Sequence, residues 1–396
     1  MRVAIIHYWF VTRRGGERVV EALCELFPQA DLFALVADCK TLSPQLQQHK
    51  LTTSFLQSIP GSRKWYRHML PLFPLAVEQF DLRGYDLVIS TESGPAKGVL
   101  TAPETCHICY CFTPMRYLWN FYQDYKHQSG LGPVRKLVFG LTAHYARLWD
   151  QASAARVDYF ATLSHSVAAR IRKYYRREAE VIYPPVDVSG AQLCGKTEDY
   201  YLVAGQLVNY KRVDLAVAAC NELGRTLRIV GTGEEYRRLR RLAGKTVSFL
   251  GALSDEDLRE QYARCRALLF PGEEDFGIVP VEAQAFGRPV IAFGRGGVRE
   301  SVIGAYCGAC SPEQATGLFF PEQTLNSVTE AMLRFEAVES RFSPQFIRAH
   351  AEQFDKRHFL DKMGRFVATK LNEHRALARV AAPPQAEGRL TADILG

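Results

Sequence analysis

Short apolar runs alternate with helix-period stretches along this chain, and the alternation runs twice. No other feature limits the possible folds so tightly, because strands separated by helices pair in parallel, with the helices laid over the sheet faces. The first pass opens with RVAIIHYWF, a Gly-Gly turn and the helical ERVVEALCELF, followed by the strand-like DLFALVAD. Further strands are expected at YDLVIS, CHICYCF, YFATLS and EVIYP, with helices near 134–150 and 165–174. The turn-rich YPPVDVSGAQLCGKTED then interrupts the pattern. It restarts with YYLVAGQ, a helix from about Val213 to Leu223, TLRIVG, a helix near 234–242, VSFLG, the helical SDEDLREQYARC, RALLFP, one more helix and PVIAF. The expectation is an α/β protein of two units, residues 1–187 and 188–350, facing across a cleft that holds a ligand. Residues 343–375 read as helical, and the Pro- and Ala-rich 376–396 as a mobile tail.

Composition narrows the class. A chain of 396 residues, 47% hydrophobic, has ample core for two domains. No uninterrupted apolar run approaches the roughly eighteen residues a membrane-spanning helix needs. MRVAIIHYWF is too short for a leader and lacks a small-residue cleavage site, so a cytoplasmic location is expected. The ten cysteines are scattered, as in a reducing compartment. Cys106–Cys109 and Cys307–Cys310 have a zinc-like spacing, but residues three apart on a strand face opposite sides, so no metal is expected. Residues 1–187 hold 22 lysines and arginines against 16 acids, and the remainder 27 against 26. Candidate patches are Arg63, Lys64 and Arg67 around Trp65 and Tyr66, and Arg170, Arg172, Lys173, Arg176 and Arg177 around Tyr174 and Tyr175. Such patches suit an anionic membrane surface, and equally a solvated helix face. No nucleic-acid-binding motif accompanies the charge, so nucleic acid is not an expected partner.

The chemistry concentrates in EEDFGIVPVE, where Glu274 and Glu282 have seven residues between them, around a Phe-Gly turn. RALLFP before it reads as a buried strand and IVPVEAQAFG after it as a helix. Gly277 and Ile278 therefore fall at a helix N-terminus, whose unpaired N–H groups favour phosphate. Glu274 sits in the loop, and Glu282, about one turn inside the helix, can accept hydrogen bonds from vicinal hydroxyls. The plainer reading is a solvated acidic loop and an ordinary helix-face acid. Lys211 and Arg212 precede another helix in AGQLVNYKRVD, where a cation can neutralise a diphosphate leaving group. Gly15 and Gly16 follow the first strand, where a missing side chain lets backbone approach a phosphate or simply makes the turn. Gly231 and Gly233 read as a tight turn, and Ser254 as the cap of a helix whose first-turn acids face its dipole.

These segments resemble retaining GT-B glycosyltransferases of glycosyltransferase family 4, and among them the bacterial GDP-mannose-dependent mannosyltransferases of surface-polysaccharide synthesis. The signature is carried by Glu274, Phe276, Gly277 and Glu282. The resemblance implies two Rossmann-like domains and a last helix, within 351–375, that crosses back to the first. It implies that Glu274 holds the donor sugar, Glu282 the nucleotide ribose and Lys211 the diphosphate, without a metal. Gln206 stands where many relatives have an arginine, so Arg212 or loop N–H groups would supply the missing charge. Gly15 and Gly16 match the family's Gly-Gly loop. STESGPAKGV and CYCFTPMRYLWNFY resemble the mannosyltransferase-like members, which places Lys97 and Arg116 at the cleft. Phe112 stands where those members have histidine. The implied activity is transfer of mannose from GDP-mannose to a lipid-linked oligosaccharide, by an enzyme peripheral on the inner face of the cytoplasmic membrane. The alternatives are a UDP-sugar transferase, a nucleotide-sugar epimerase, or a non-catalytic membrane-associated subunit that binds a nucleotide sugar.

Overall fold

The computed structural model describes residues 1–12, 15–91, 94–120, 122–123, 132–305 and 310–381. The first sheet holds β1 (Val3–Phe10), β2 (Asp31–Ala37), β3 (Leu51–Thr53), β4 (Leu87–Thr91), β5 (Cys106–Cys111), β6 (Tyr159–Thr162) and β7 (Ala179–Val181). Its helices are α1 (Gly15–Leu26), α2 (Ser62–Trp65), α3 (Phe73–Glu78), α4 (Pro133–Ala154) and α5 (His165–Tyr175). The second sheet holds β8 (Tyr201–Ala204), β9 (Leu227–Val230), β10 (Val247–Gly251), β11 (Ala267–Phe270), β12 (Val290–Phe293) and β13 (Gly317–Phe320). Around it lie α6 (Val213–Leu223), α7 (Tyr236–Leu242), α8 (Asp255–Arg264), α9 (Ile278–Ala285), α10 (Val298–Ser301) and α11 (Leu325–Val338). Helices α12 (Pro344–Ala351) and α13 (Lys356–Ala381) close the described chain.

The spatial orders are β3-β2-β1-β4-β5-β6-β7 and β10-β9-β8-β11-β12-β13, and the named pairings are parallel. Central strands are buried on both faces, which is why β4, β5, β8 and β11 read as continuous apolar runs without alternation. In each sheet the winding reverses once, between β1 and β4 and between β8 and β11. At such a reversal the loops leaving the two strands diverge and open a crevice at their carboxyl ends.

The halves are joined twice. After β7 the chain passes Val186, and on its return it passes Phe354 to Lys356. Val186 N–H donates to Phe354 O (3.2 Å) and Lys356 N–H to Val186 O (3.0 Å). Helix α13 then packs on α1 and β5 of the first half, with Phe359 edge-on to Tyr110 and Lys356 bonded to Glu25 at 2.8 Å. One apolar cluster runs without a break from β1 through Phe276 and Phe354 to Phe359. The expected mobile tail is corrected at its start, because α13 continues to Ala381. Residues 382–396 and Cys307 lie outside the described residues.

Candidate active site

Two loops meet at the reversal point of the second sheet. The first leaves β8, passes Gly205 and Gln206 and ends in a 3-10 turn at Asn209–Lys211. The second leaves β11 and carries Glu273, Glu274 and Asp275 to Gly277, which caps α9 at φ 93°, a conformation that favours glycine. Lys211 Nζ lies 2.8 Å from Glu274 Oε1, with both side chains partly open to solvent. Gln206 lines the same small pocket. Backbone contacts fix the acid loop from behind, where Gly297 N–H donates to Glu274 O (2.9 Å). A Cβ on Gly297 would stand 2.0 Å from Asp275 O, and one on Gly296 2.4 Å from Glu274 O. The main chain at Glu274 is thus fixed by backbone contacts, and the lysine that meets its carboxylate arrives on the loop after a neighbouring strand. Gly231 and Gly233 serve the same fit, packing against the carbonyls of Gly205 and Leu207.

The first half faces this loop with arginines. Arg116 donates from Nη2 to Asp275 Oδ1 (2.7 Å) and from Nη1 to Glu273 O (3.2 Å). Arg170, buried on α5, bonds to the same Asp275 oxygen and to Thr113 Oγ1 (2.7 Å). Arg18 on α1 donates to Glu282 Oε1 (2.5 Å), whose other oxygen accepts from Tyr262 Oη (2.9 Å). Burial opposes the charges on Arg116 and Arg18, yet Asp275 and Glu282 raise both above the ordinary arginine value. Glu300 reaches the other way and accepts from the N–H groups of His165 (2.9 Å) and Ser166 (3.0 Å), capping α5. A carboxylate has about four acceptor positions, so Glu282 keeps two for a ligand's hydroxyls. It opens onto a cavity of about 230 Å³ between α1, α8 and α9, lined also by Asp187, Asp255 and Arg259.

Gly15 and Gly16 face the junction. A Cβ on Gly15 would meet Ile278 Cδ1 at 2.8 Å, and one on Gly16 the Phe112 ring at 3.1 Å. The glycine loop therefore touches the N-terminus of α9, and nothing larger fits there without moving Ile278. Behind Phe112 lies His7, its Cε1 3.5 Å from the same added Cβ. Thr91 Oγ1 gives its hydrogen to Ile6 O, so His7 Nδ1–H donates to Thr91 (2.8 Å) and Nε2 is the bare acceptor. That nitrogen is buried with no partner among the described residues. Burial drops the His7 pKa to about 3.

Three residues depart from the sequence reading. Lys97 does not face the cleft: it is sealed in the first half, bonded to Asp150 and to Gly94 O (3.1 Å), with the Tyr175 ring 4.8 Å away. A lysine reaches that depth only because a buried carboxylate waits there. Arg212 does not join Lys211. It occupies the left-handed region at φ 50°, and its guanidinium folds back on Asp214 (3.1 Å) at the start of α6. Phe276 is not a ligand contact but a buried anchor between Tyr183 and Phe354, 5.4 and 5.3 Å between ring centroids.

The second basic patch also dissolves. Arg170 faces the acid loop, Arg172 pairs with Glu178, and Arg177 donates to the carbonyls of Ala154 and Asp158. In the first patch Trp65 is exposed and Arg63 lies 3.5 Å from Asp38; the Arg67 side chain lies outside the described residues. Among the described residues one trio brings metal-ligating atoms together: Cys106, Asp158 and His374, within 4.8 Å. Cys106 opens β5, at the amino end of the sheet, away from the acid loop. Cys106 and Cys109 do not share it.

Arg18, Arg170, Asp275 and Glu300 are functional candidates that sequence reasoning missed. Arg18 falls on the charged side of an amphipathic helix and Arg170 inside a basic run, where a cation needs no special explanation. Asp275 was passed over as loop solvation. The available signal was position: Arg18 lies two residues after the Gly-Gly turn, and Asp275 sits between the two acids.

Two parallel α/β sheets that meet across a cleft, with the charged loops at the carboxyl ends of the second, define a GT-B fold. Residues 190–339, the second half, match the family model described as glycosyl transferases group 1. The chain is similar to the uncharacterized glycosyltransferase MJ1178 of Methanocaldococcus jannaschii, 24% identical over 223 residues, 54% of this chain and 60% of that one. It is also similar to the human alpha-1,3/1,6-mannosyltransferase ALG2, 32% identical over 149 residues, 35% of each chain. The matches thus span 60% and 35% of these relatives' lengths. Among solved structures, Anabaena HepE in complex with UDP superposes with a TM-score of 0.65 at 14% identity, covering 93% of this chain and all of that one.

Proposed function

We propose that the protein is a retaining glycosyltransferase that moves mannose from GDP-mannose to a lipid-linked oligosaccharide at the inner membrane surface. The observation that carries this reading is the Lys211–Glu274 pair, 2.8 Å apart beside the N-terminus of α9. Departure of a nucleoside diphosphate concentrates negative charge on the leaving oxygen. Lys211 and the free N–H groups at Gly277 and Ile278 are placed to meet that charge without reorganising, and no metal is required by this arrangement. Glu274 accepts hydrogen bonds from the sugar hydroxyls, and Glu282 from the ribose hydroxyls beside the cavity. Gly15 and Gly16 bring the first half's backbone to the same point. Arg18, Arg116 and Arg170 hold the halves closed, which excludes water from the reacting carbon. The bond from the anomeric carbon to the diphosphate breaks, and the acceptor oxygen bonds on the same face. Its proton passes to the leaving phosphate, so no side-chain nucleophile is used. The mannosyltransferase name of the human relative supports the choice of sugar.

The test is nucleotide release from GDP-mannose and from UDP-sugars, with and without acceptor lipid. Lys211→Ala and Glu274→Gln should each lower turnover of GDP-mannose by about 10²- to 10³-fold. Unchanged turnover in both variants would overturn the site. Release only from UDP-sugars would transfer the assignment to that donor class. Interconversion of the free donor would indicate an epimerase, and tight binding without turnover a non-catalytic subunit.

A further inference from the structure

The amino edge of the first sheet, away from the acid loop, gathers a thiol, a carboxylate and an imidazole from three separate elements. Cys106 opens β5, Asp158 stands just before β6, and His374 comes from α13, the helix that crosses back from the second half. Their ligand atoms, one from each side chain, all lie within 4.8 Å of one another. The sheet fixes two of the three. Asp158 N–H donates to His107 O (2.9 Å), and Asp158 Oδ2 accepts from His107 N–H (2.7 Å), which holds the carboxylate beside the start of β5. The third is oriented by its other nitrogen. His374 Nε2 lies 3.2 Å from Pro103 O, and a carbonyl only accepts, so Nε2 carries the hydrogen. In the neutral ring Nδ1 is then bare, and it faces Asp158 Oδ2 at 3.8 Å, too far for a hydrogen bond. Metal-binding histidines are set in the same way, with the spare N–H on a backbone carbonyl. Two electron-pair donors that face each other with no hydrogen between them repel, and a cation held between them and the sulfur removes the repulsion.

We propose that Cys106, Asp158 and His374 form a zinc site that pins α13 to the first half. The donor set selects the ion, since sulfur and imidazole suit zinc, whereas magnesium and calcium take oxygen ligands. Around tetrahedral zinc, with bonds of about 2.0–2.3 Å, ligand atoms stand roughly 3.3–3.7 Å apart. The separation of Asp158 and His374 is already close to that, and small rotations of these two part-exposed side chains close the rest. Cys106 is buried, while the Asp158 and His374 side chains are 35% and 14% exposed. The ion therefore enters from their side, and a water completes the four ligands. With no cation bound, burial and the Asp158 carboxylate push the thiol up to about 12, against a lowering by Arg375. Zinc displaces that proton to solvent as the sulfur–zinc bond forms, and thiolate and carboxylate together balance its two charges. The site lies away from the Lys211–Glu274 pair, so the proposed transfer neither uses it nor bears on it.

Titration of the full chain, freed of metal with a chelator, with cobalt(II) as a coloured stand-in for zinc tests the proposal. One equivalent should bind and show the absorption of a cobalt–thiolate bond, and zinc should displace it. Cys106→Ser should abolish that absorption. His374→Ala should weaken zinc binding, measured against a chromogenic chelator, by about 10²-fold or more, because even changes around a ligand cost about 10- to 100-fold. Zinc should raise the thermal midpoint of the unchanged protein and leave that of both variants where it was. If Cys106→Ser fails to fold, His374→Ala, on the outer side of the site, decides the matter alone. No stoichiometric binding by the unchanged protein would reduce the trio to an ion pair of Asp158 with His374 and overturn the proposal. Cobalt–thiolate absorption that survives in both variants would put the metal on other cysteines and overturn it as well.

Discussion

Each half of this molecule brings a lysine to a carboxylate, and the two pairs could hardly be set more differently. Lys97 and Asp150 in the first half are 1% and 0% exposed, and Asp150 also accepts from Trp119 Nε1 (2.8 Å) and Tyr175 Oη (2.9 Å). Lys211 and Glu274 in the second half are 17% and 22% exposed, at the mouth of loops that leave adjacent strands. The first pair is sealed from solvent, and it ties helix α4 to the 3-10 turn at Pro95–Gly98. The second is desolvated enough for its charges to act strongly and open enough to admit a ligand. Position at the carboxyl end of a parallel strand separates them, since that is where the fold leaves a crevice.

The comparison breaks if the lysines exchange their effects. Lys97→Met leaves a buried carboxylate without its cation and should cost about 3–5 kcal/mol of stability, read from the denaturant midpoint. Replacing Asp150 by leucine in the same chain should recover much of that loss. Lys211→Ala, by contrast, should leave the midpoint within about 0.5 kcal/mol while lowering turnover as stated above. Gly297→Ala comes next in size. Its Cβ meets a main-chain carbonyl that cannot swing aside, so about 1–3 kcal/mol of stability should be lost together with activity.

An effect that appears only in acid sharpens the contrast between the two interiors. The first sheet buries His7 and His107, and burial lowers their pKa values from 6.5 to about 3 and about 4. Both are neutral in the folded protein at neutral pH, with His107 accepting from Ser90 Oγ (2.9 Å). The unfolded chain takes up their protons below pH 6.5 while the folded chain does not. Their contribution is therefore complete above pH 6.5 and declines as pH falls, until about 4 for His107 and about 3 for His7. Each contributes a slope of about 1.4 kcal/mol per pH unit across its window. His7→Gln should flatten the acid limb of the stability curve, and an unchanged slope would refute the burial of a neutral imidazole.

Much of the architecture was legible because local order writes itself into neighbouring residues. The strand runs and the helix at Val213–Leu223 fall where period and turn residues place them, since each depends on side chains within one or two turns. The acid loop was legible for the same reason: a strand, a Phe-Gly turn and a helix start lie within twelve residues. Less regular pieces escaped. The three-residue β3 was not expected, nor were β13 and α11 near the end of the second sheet.

What the sequence determined by itself was the class of fold and the half of the site that comes from contiguous chain, Glu274, Gly277 and Glu282, with Lys211 as their cation. Only the tertiary structure decided which charges meet. Arg18 and Glu282 are 264 residues apart and Arg170 and Asp275 are 105 apart, and no local pattern records such a pairing. The same holds for Lys97, a plausible cleft residue by its motif, which folding buried against Asp150. Helical and strand periods encode which side of an element is apolar. Where that side finally rests, against a sheet, an opposing domain or solvent, depends on the packing of distant segments, and packing is settled only when the whole chain is in place.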